Sequence, residues 1–252
     1  MNRQHRTIAC GAMVLAGVAF ASAARADCGK LPSHAQLRQA LMASVKPQGG
    51  PSNGGLDLEM WATLVDRDGV VCAVAFSGHD RGDQWPGSRV ISAQKANTAN
   101  AFSLKGLALS TANLYAAVQP GGSLFGLQAS NPVDASIAYA GDPARWGTEK
   151  DPLVGHHVGG VNVFGGGLAL YGTAGLVGAL GVSGDTSCAD HNVAWRVRKA
   201  LGLARVPTGV SPNKDDGMIY DIANGTSKSG FGHPACGGKE ADVAREIGAG
   251  AM

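Results

Sequence analysis

The chain has 252 residues, of which 44% are hydrophobic and 16% are charged, a composition typical of a globular protein with one apolar core. Its formal net charge is +2, with no basic stripe interleaved with aromatic residues, which argues against nucleic-acid binding. The 38 glycines follow no Gly-X-Y repeat, so they indicate tight turns rather than a fibre.

The first residues have the pattern of an export signal. Two arginines precede the short apolar stretch 8–22, and Ala24-Arg25-Ala26 forms an A-x-A cleavage site. A membrane-spanning helix needs about 20 apolar residues, more than this stretch offers. We therefore expect residues 1–26 to be a signal peptide and the mature chain to begin near Asp27, with no membrane span and a periplasmic or secreted location. Loss of the leader's three arginines lowers the formal charge from +2 to −1.

Four cysteines remain after the leader: Cys28, Cys72, Cys188 and Cys236. An even number in an oxidising compartment predicts two disulfides. No C-x-x-C motif is present, which argues against a zinc site or a thioredoxin-type redox pair. Three pairings are possible. We favour Cys28–Cys72 with Cys188–Cys236, because each bond would fasten one end of the chain to the core.

The first half of the chain alternates regular elements with polar loops. Apolar residues at helical spacing predict helices, and two apolar runs around Asp66-Arg67-Asp68-Gly69 predict a β-hairpin. The predicted elements are, in order, a helix over Pro32–Val45, a loop over Lys46–Gly55, strands over Leu58–Val65 and Val70–Phe76, a polar loop over Ser77–Gly87, helices over Ser88–Leu109 and Ser110–Val118, and a short strand or turn over Ser123–Ala129.

The second half opens with residues 131–160, a long stretch without periodicity of the kind that is usually functional or disordered. Val161–Ser183 is rich in glycine and predicts two or three short antiparallel strands. Asp190–Leu203 predicts a helix with Asp190 as its N-cap, and the chain beyond it an extension wrapped on the surface and held by Cys236. Because the strands fall into antiparallel groups, the fold class is α+β in one domain.

Five segments follow one another in an order and spacing that match a known family: ATLVDRDG (62–69), AQKANTANAF (93–102), QPGGSLFGLQ (119–128), FGGG (164–167) and GALGVSG (178–184). Through them the chain resembles the GlcG/HbpS-like haem-binding family. The resemblance implies a profilin-like α+β fold, with a five-stranded antiparallel sheet between helices in three α/β/α layers. It also implies a homo-oligomer and, for some members, haem or iron binding outside the cytoplasm. We divide the chain into a family domain over residues 27–204, with an insert at 131–160, and an extension over 205–252.

Haem iron takes a ligand such as imidazole from the protein, so histidines are the first candidates. His156 and His157, in the insert, are candidate haem or metal ligands. Adjacent residues of an extended segment point to opposite sides, so only one of the two would face a given pocket. His79, in the polar loop after the hairpin, is a further candidate.

Three more candidates place a small-molecule site where the long helix meets the glycine-rich strands. Lys95 and Thr98 are three residues apart and share a helix face, within a segment that resembles the family. Lys95 could pair with a haem propionate or with another carboxylate. Phe164, at the start of FGGG, completes the set.

The sequence offers little for catalysis. G-V-S-G-D over Gly181–Asp185 departs from the G-x-S-x-G elbow at its last position, and H-E-x-x-H is absent. We therefore predict no catalytic residue and expect an exported protein that binds haem, a related tetrapyrrole or iron, for sequestration, storage or sensing. An enzyme acting on a bound small molecule or on haem, and a non-catalytic oligomeric accessory protein, are the two alternatives.

Overall fold

The computed structural model describes residues 27–47 and 52–251; the predicted signal peptide and part of the first predicted loop lie outside them. Two-residue strands and 3₁₀ turns supplement the main elements. The helices are α1 (His34–Val45), α2 (Ser88–Phe102), α3 (Leu127–Ser130), α4 (Ala135–Ala138), α5 (Ser187–Ala200) and α6 (Glu240–Ile247), and the strands are β1 (Trp61–Asp66), β2 (Val71–Phe76), β3 (Gly167–Gly172), β4 (Gly175–Ser183), β5 (Met218–Ile219), β6 (Ile222–Ala223), β7 (Thr226–Ser227) and β8 (Gly250–Ala251).

The main sheet has the order β2-β1-β4-β3, and every neighbouring pair is antiparallel. It joins two hairpins through the pairing of β1 with β4. The predicted hairpin over β1 and β2 is confirmed, and Gly69 at its turn has a φ of +84°, a conformation that favours glycine. Within the described residues the sheet has four strands, so the prediction of a five-stranded sheet is wrong. Residues 161–166 run irregularly into β3, which leaves two strands in the glycine-rich stretch.

Helices cover both faces of the sheet. Along β1, Ala62 and Leu64 pack with α1 and α5, whereas Trp61 and Val65 pack with α2 and the insert. This alternation follows from the two-residue period of a strand. Because both faces of the sheet are covered, all six residues of β1 are buried. None of the helices in the described part of the chain is long and apolar enough to span a membrane.

The long helix α2 lies unusually close to the sheet. A Cβ added to Gly181 of β4 would stand 1.9 Å from the carbonyl oxygen of Ser92, a contact that only glycine avoids. The helix ends at Phe102, earlier than predicted, and the second predicted helix is a pair of 3₁₀ turns at Thr111–Leu114 and Ala116–Val118.

Helix α5 begins three residues before the predicted start. Thr186 is its N-cap, with the Oγ1 atom accepting a hydrogen bond from the backbone N–H of Ala189. Asp190 is therefore not the cap. It lies in the first turn and is 2% exposed.

Both disulfides have the favoured pairing: Cys28–Cys72 and Cys188–Cys236. The extension is held by more than its cysteine, because the guanidinium of Arg198 donates to both carboxylate oxygens of Asp216 at 2.6 and 2.8 Å. Met218 is fully buried beside Cys188. The extension is thus partly integrated into the core.

Candidate functional site

The sequence-predicted ligands lie in three places. His79 follows the end of β2, and His156 and His157 run beside its beginning, where the backbone N–H of Val71 donates to the carbonyl of His156 at 2.9 Å. The six residues of β2 are extended, so His79 lies roughly 17 Å from His156 and His157. Lys95 and Thr98 lie on α2, buried between it and the glycine-rich segment. The structure does not bring the predicted residues into one pocket.

Lys95 is engaged by a carboxylate of the protein itself. Its Nζ atom lies 2.6 Å from Oδ2 of Asp190 and 3.1 Å from the carbonyl oxygen of Val182, and the side chain is 1% exposed. Burial raises the pKa of Asp190 to about 6 against the opposing effect of Lys95. The lysine pairs with another carboxylate, one of the two partners predicted for it.

The backbone of the FGGG motif packs directly against this ion pair. A Cβ on Gly166 would stand 3.2 Å from Nζ of Lys95, and one on Gly167 would stand 2.6 Å from the carbonyl oxygen of Lys95. Thr98 links α2 to the same segment, because its hydroxyl accepts from the backbone N–H of Asn162 at 3.0 Å. Phe164 is 44% exposed. The glycines of the FGGG motif let this segment pack closely on α2. Side chains of the protein fill the space where the helix and the segment meet.

The two adjacent histidines are both exposed. The ring of His157 lies beside Gly69 and Asn97, since a Cβ on Gly69 would stand 3.8 Å from its Cδ2 and 3.3 Å from Oδ1 of Asn97. Asn97 also lines a cleft of about 510 Å³, which we call the α2 cleft. Its other walls are largely apolar and include Ala101, Phe102, Leu127, Pro132 and Val161.

His79 lines a second cleft, of about 370 Å³, at the opposite end of β2. We call it the His79 cleft. It lies between α1, the loop after β2 and the insert, and collects an imidazole, two guanidinium groups and aromatic rings. The lining residues that matter here are Arg38, Phe76, His79, Arg81, Pro143 and Trp146.

The two arginines of the His79 cleft have unused hydrogen-bonding capacity. Within the described residues, neither the guanidinium of Arg38 nor that of Arg81 forms a salt bridge or a hydrogen bond. Asp80 also lines the cleft, but its Oδ1 accepts from the backbone N–H of Gly82 at 2.7 Å. Guanidinium groups match the geometry of carboxylates, so this cleft is suited to an anionic ligand.

The insert supplies one wall of the His79 cleft and is held in place by contacts with α2 and α1. Asp151 accepts from Arg89 of α2, and its Oδ2 also accepts from the backbone N–H of Gly147 at 2.7 Å. The Trp146 ring makes cation–π contacts with two arginines, with Cζ of Arg89 at 4.5 Å and Cζ of Arg81 at 5.6 Å from its centroid. His34 of α1 adds a hydrogen bond from its Nε2 to the carbonyl of Gly147 at 2.9 Å.

One group of side chains has the spacing of potential metal ligands. Cys28, Asp66 and Cys72 are the group of potential ligand atoms found within 4.8 Å of one another in the described part of the chain. The two cysteines are joined in a disulfide, so their thiolates are not available to a metal. His156 and His157 do not belong to that group.

Comparison with known proteins assigns the family. Residues 54–198, more than half of the chain, match the family model described as "Haem degrading protein HbpS-like". The chain belongs to the HbpS-like family. The matched range of this HbpS-like chain contains the sheet, α2, the insert and nearly all of α5. A search of the curated proteins found no match.

Solved structures similar to this HbpS-like chain include three relevant examples. A PduOC–haem complex is 23% identical over 67% of this chain and 91% of that one, with a TM-score of 0.45. The Klebsiella pneumoniae protein ORFY is 24% identical over 68% and 90%, with a TM-score of 0.44. A double mutant of Streptomyces reticuli HbpS is 14% identical over 78% and 99%, with a TM-score of 0.41.

His79 was predicted from the sequence as a candidate ligand, but the residues around it were not. Arg38 is one basic residue on an amphipathic helix, and Trp146 is one aromatic residue in an irregular segment, so neither carries a local signal. The sequence hint was the D-R-G-D run after the hairpin, whose Asp80 and Asp83 carboxylates fold back on backbone N–H groups and thereby shape the loop that presents His79 and Arg81.

Proposed function

We propose that this HbpS-like chain is an exported protein that binds haem or a related tetrapyrrole in the His79 cleft, for sequestration, storage or sensing. The observation that carries the proposal is the convergence in one cleft of one imidazole, one indole and two guanidinium groups that have no ion-pair partner among the described residues. Membership of a family described by its action on haem supports the choice of ligand. The two disulfides and the A-x-A leader support export.

The residues fit the group. Haem combines an iron that takes imidazole, an apolar macrocycle and two propionate carboxylates. His79 would supply the imidazole, Phe76 and Trp146 an apolar wall, and Arg38 and Arg81 would hold the propionates. Haem bound there would bring its redox-active iron, and this chain's residues would bind and orient it. The volume of about 370 Å³ lies at the lower end of ligand pockets, so part of the ring would stay at the surface.

The α2 cleft is the second candidate site for the same ligand. It is larger, at about 510 Å³, and more apolar, and His157 lies beside it. It offers no cation for the propionates among its lining residues, and Lys95 is committed to Asp190. We therefore place the tetrapyrrole at the His79 cleft and use His157 as the competing hypothesis.

The test is a haem titration of the mature protein with its disulfides intact, followed by the Soret band. The variants are His79→Ala, His157→Ala and, as a matched exposed control, His156→Ala. We expect saturable binding that His79→Ala weakens at least tenfold while the other two variants match the unsubstituted protein. Loss confined to His157→Ala would move the site to the α2 cleft. No saturable Soret shift at micromolar protein would refute haem binding.

Haem degradation is the second candidate function, favoured by membership of a family described as haem-degrading. Adding peroxide, or ascorbate with oxygen, to the haem-loaded protein distinguishes the two. Under binding alone the Soret band persists as long as with a non-degrading haem protein control. Catalysed loss of the band that His79→Ala abolishes would instead indicate an enzyme. The homo-oligomer implied by the family resemblance is a separate proposal, which light scattering of the mature protein checks.

A further inference from the structure

The carboxylate of Asp66 is buried and has no cationic side chain as a partner in the part of the chain that the structure describes. Asp66 ends β1 and is 1% exposed. Its Oδ1 accepts from the backbone N–H groups of Asp68 and Val70 at 3.0 and 2.9 Å, and its Oδ2 accepts from the backbone nitrogen of Asp27 at 2.9 Å. Within residues 27–47 and 52–251, no lysine, arginine or histidine forms a salt bridge with it.

The neighbouring basic side chains are used elsewhere. The guanidinium of Arg67 donates to the carbonyl of Asn100 at 2.8 Å. The ammonium of Lys30 lies 2.5 Å from the side-chain Oδ2 of Asp27. A buried carboxylate normally has a cationic or metal partner, because taking an unpaired charge out of water is costly. The position for that partner at Asp66 is occupied by the Asp27 backbone nitrogen.

This nitrogen is the one that cleavage at the A-x-A site would release. We propose that hydrolysis of the Ala26–Asp27 peptide bond creates an α-ammonium group that forms an ion pair with the buried carboxylate of Asp66. An export protease would supply the catalysis. One water is consumed, Ala26 leaves with a new carboxylate, and the released amine of Asp27 takes up a proton. Processing would thereby exchange a neutral N–H donor for a charged one at an unchanged position.

The position is held independently of the leader. Cys28 is joined to Cys72, and the carbonyl of Asp27 accepts from the backbone N–H of Lys30 at 3.2 Å. The side chain of Asp27 does not compete for its own amine, since it pairs with Lys30. The new N-terminus would therefore be locked to the hairpin turn, and full stability would be reached only after the leader is removed.

The first test is the intact mass and N-terminal sequence of the exported protein, with Asp27 expected as residue one. A mature form that begins elsewhere would overturn the proposal. The second test compares this protein with a form carrying one extra glycine before Asp27. The extra residue keeps the N–H donor but moves the ammonium away from Asp66.

We expect the form that begins at Asp27 to melt about 2–4 °C higher than the glycine form, the shift that roughly one ion pair's worth of stability produces at this chain length. Its α-amine should also react at least about tenfold more slowly with an acylating reagent at pH 7, because an opposite charge raises an amine's pKa by about one unit or more. Asp66→Asn should remove both differences. Equal melting and equal labelling of the two forms would refute the ion pair, and this comparison holds even if Asp66→Asn fails to fold.

Discussion

Arg89 of α2 and Asp151 of the insert form a buried two-point ion pair, with Nε to Oδ2 at 2.9 Å and Nη2 to Oδ1 at 2.5 Å. The same guanidinium donates to the carbonyl of Ala138 at 3.0 Å and stacks on Trp146. One arginine therefore holds two parts of the insert against the long helix. The wall of the His79 cleft depends on this contact.

We expect Asp151→Asn to destabilise the protein strongly, because it leaves the buried guanidinium of Arg89 without its counter-charge. Breaking one side of a buried pair costs about 3–5 kcal/mol. Urea unfolding followed by circular dichroism measures the change. Glu149→Gln, the same acid-to-amide change at an exposed position of the insert, is the control and should stay within about 0.5 kcal/mol. Equal effects of the two variants would show that the pair does not anchor the insert.

Two buried histidines, His191 on α5 and His233 in the extension, make the folded protein sensitive to acid. Burial lowers the pKa of His233 from 6.5 to about 4 and that of His191 from 6.5 to about 3. A histidine whose pKa is lower in the folded than in the unfolded protein binds fewer protons when folded, so the free energy of unfolding decreases as the pH falls from about 6.5 towards these values. At pH 5 the loss is about 2 kcal/mol for each histidine.

The measurement is urea unfolding at pH 7 and at pH 5. His233→Gln should shrink the difference between the two pH values, and the exposed His156→Gln should leave it unchanged. His233 donates from Nδ1 to the carbonyl of Pro234 at 2.7 Å, and glutamine can also donate. A pH difference that is identical in all three proteins would contradict this role for His233.

Contacts between residues close together in the chain could be predicted from the sequence, whereas contacts between distant residues could not. The hairpin over β1 and β2 was predictable because its turn residues and apolar runs are adjacent in the chain. The insert was not, because its order comes from a partner 62 residues away, the Arg89–Asp151 pair. A loop pattern without periodicity does not reveal that Asp151 accepts four hydrogen bonds in the core.

Asp190 illustrates the same limit within one helix. An acidic residue ahead of an apolar helical run predicts an N-cap, yet Thr186 is the cap and Asp190 is turned inward to Lys95. Local spacing cannot distinguish an aspartate that caps a helix from one that pairs with a lysine 95 residues earlier in the chain. The His79 cleft was partly hidden for the same reason, because α1, the loop after β2 and the insert meet only in the folded chain.

The Cys188–Cys236 disulfide should stabilise the extension. It closes a loop across a sequence separation of 48 residues, for which chain entropy gives about 4 kcal/mol as an upper estimate. We expect the Cys188→Ser/Cys236→Ser variant to lose stability and to be cut by trypsin first within residues 205–251. The matched control is Cys28→Ser/Cys72→Ser, with a similar separation of 44 residues, which should expose the other end of the chain. Identical cleavage patterns would show that neither bond protects its own segment.

Trp146 provides an internal probe of the proposed haem site. It lines the His79 cleft, whereas Trp195 lies on α5 against the opposite face of the sheet. Haem quenches tryptophan fluorescence by energy transfer that weakens with distance, so binding in the cleft should quench Trp146 more than Trp195. We expect Trp146→Phe to reduce the quenched amplitude more than Trp195→Phe does. The reverse order would place the ligand on the other side of the sheet.

Arg38 and Arg81 should contribute to haem affinity through its propionates. Each guanidinium is free of a protein carboxylate within the described residues, so each can pair with one propionate without breaking an internal ion pair. We expect Arg38→Gln and Arg81→Gln each to weaken haem binding by about threefold to tenfold, in keeping with partly exposed ion pairs of roughly 1 kcal/mol. Haem dimethyl ester, whose propionates are neutral, separates charge pairing from packing. It should bind the unsubstituted protein and both variants with equal affinity. If the variants weaken the ester as much as they weaken haem, the arginines act through the shape of the cleft and not through their charge.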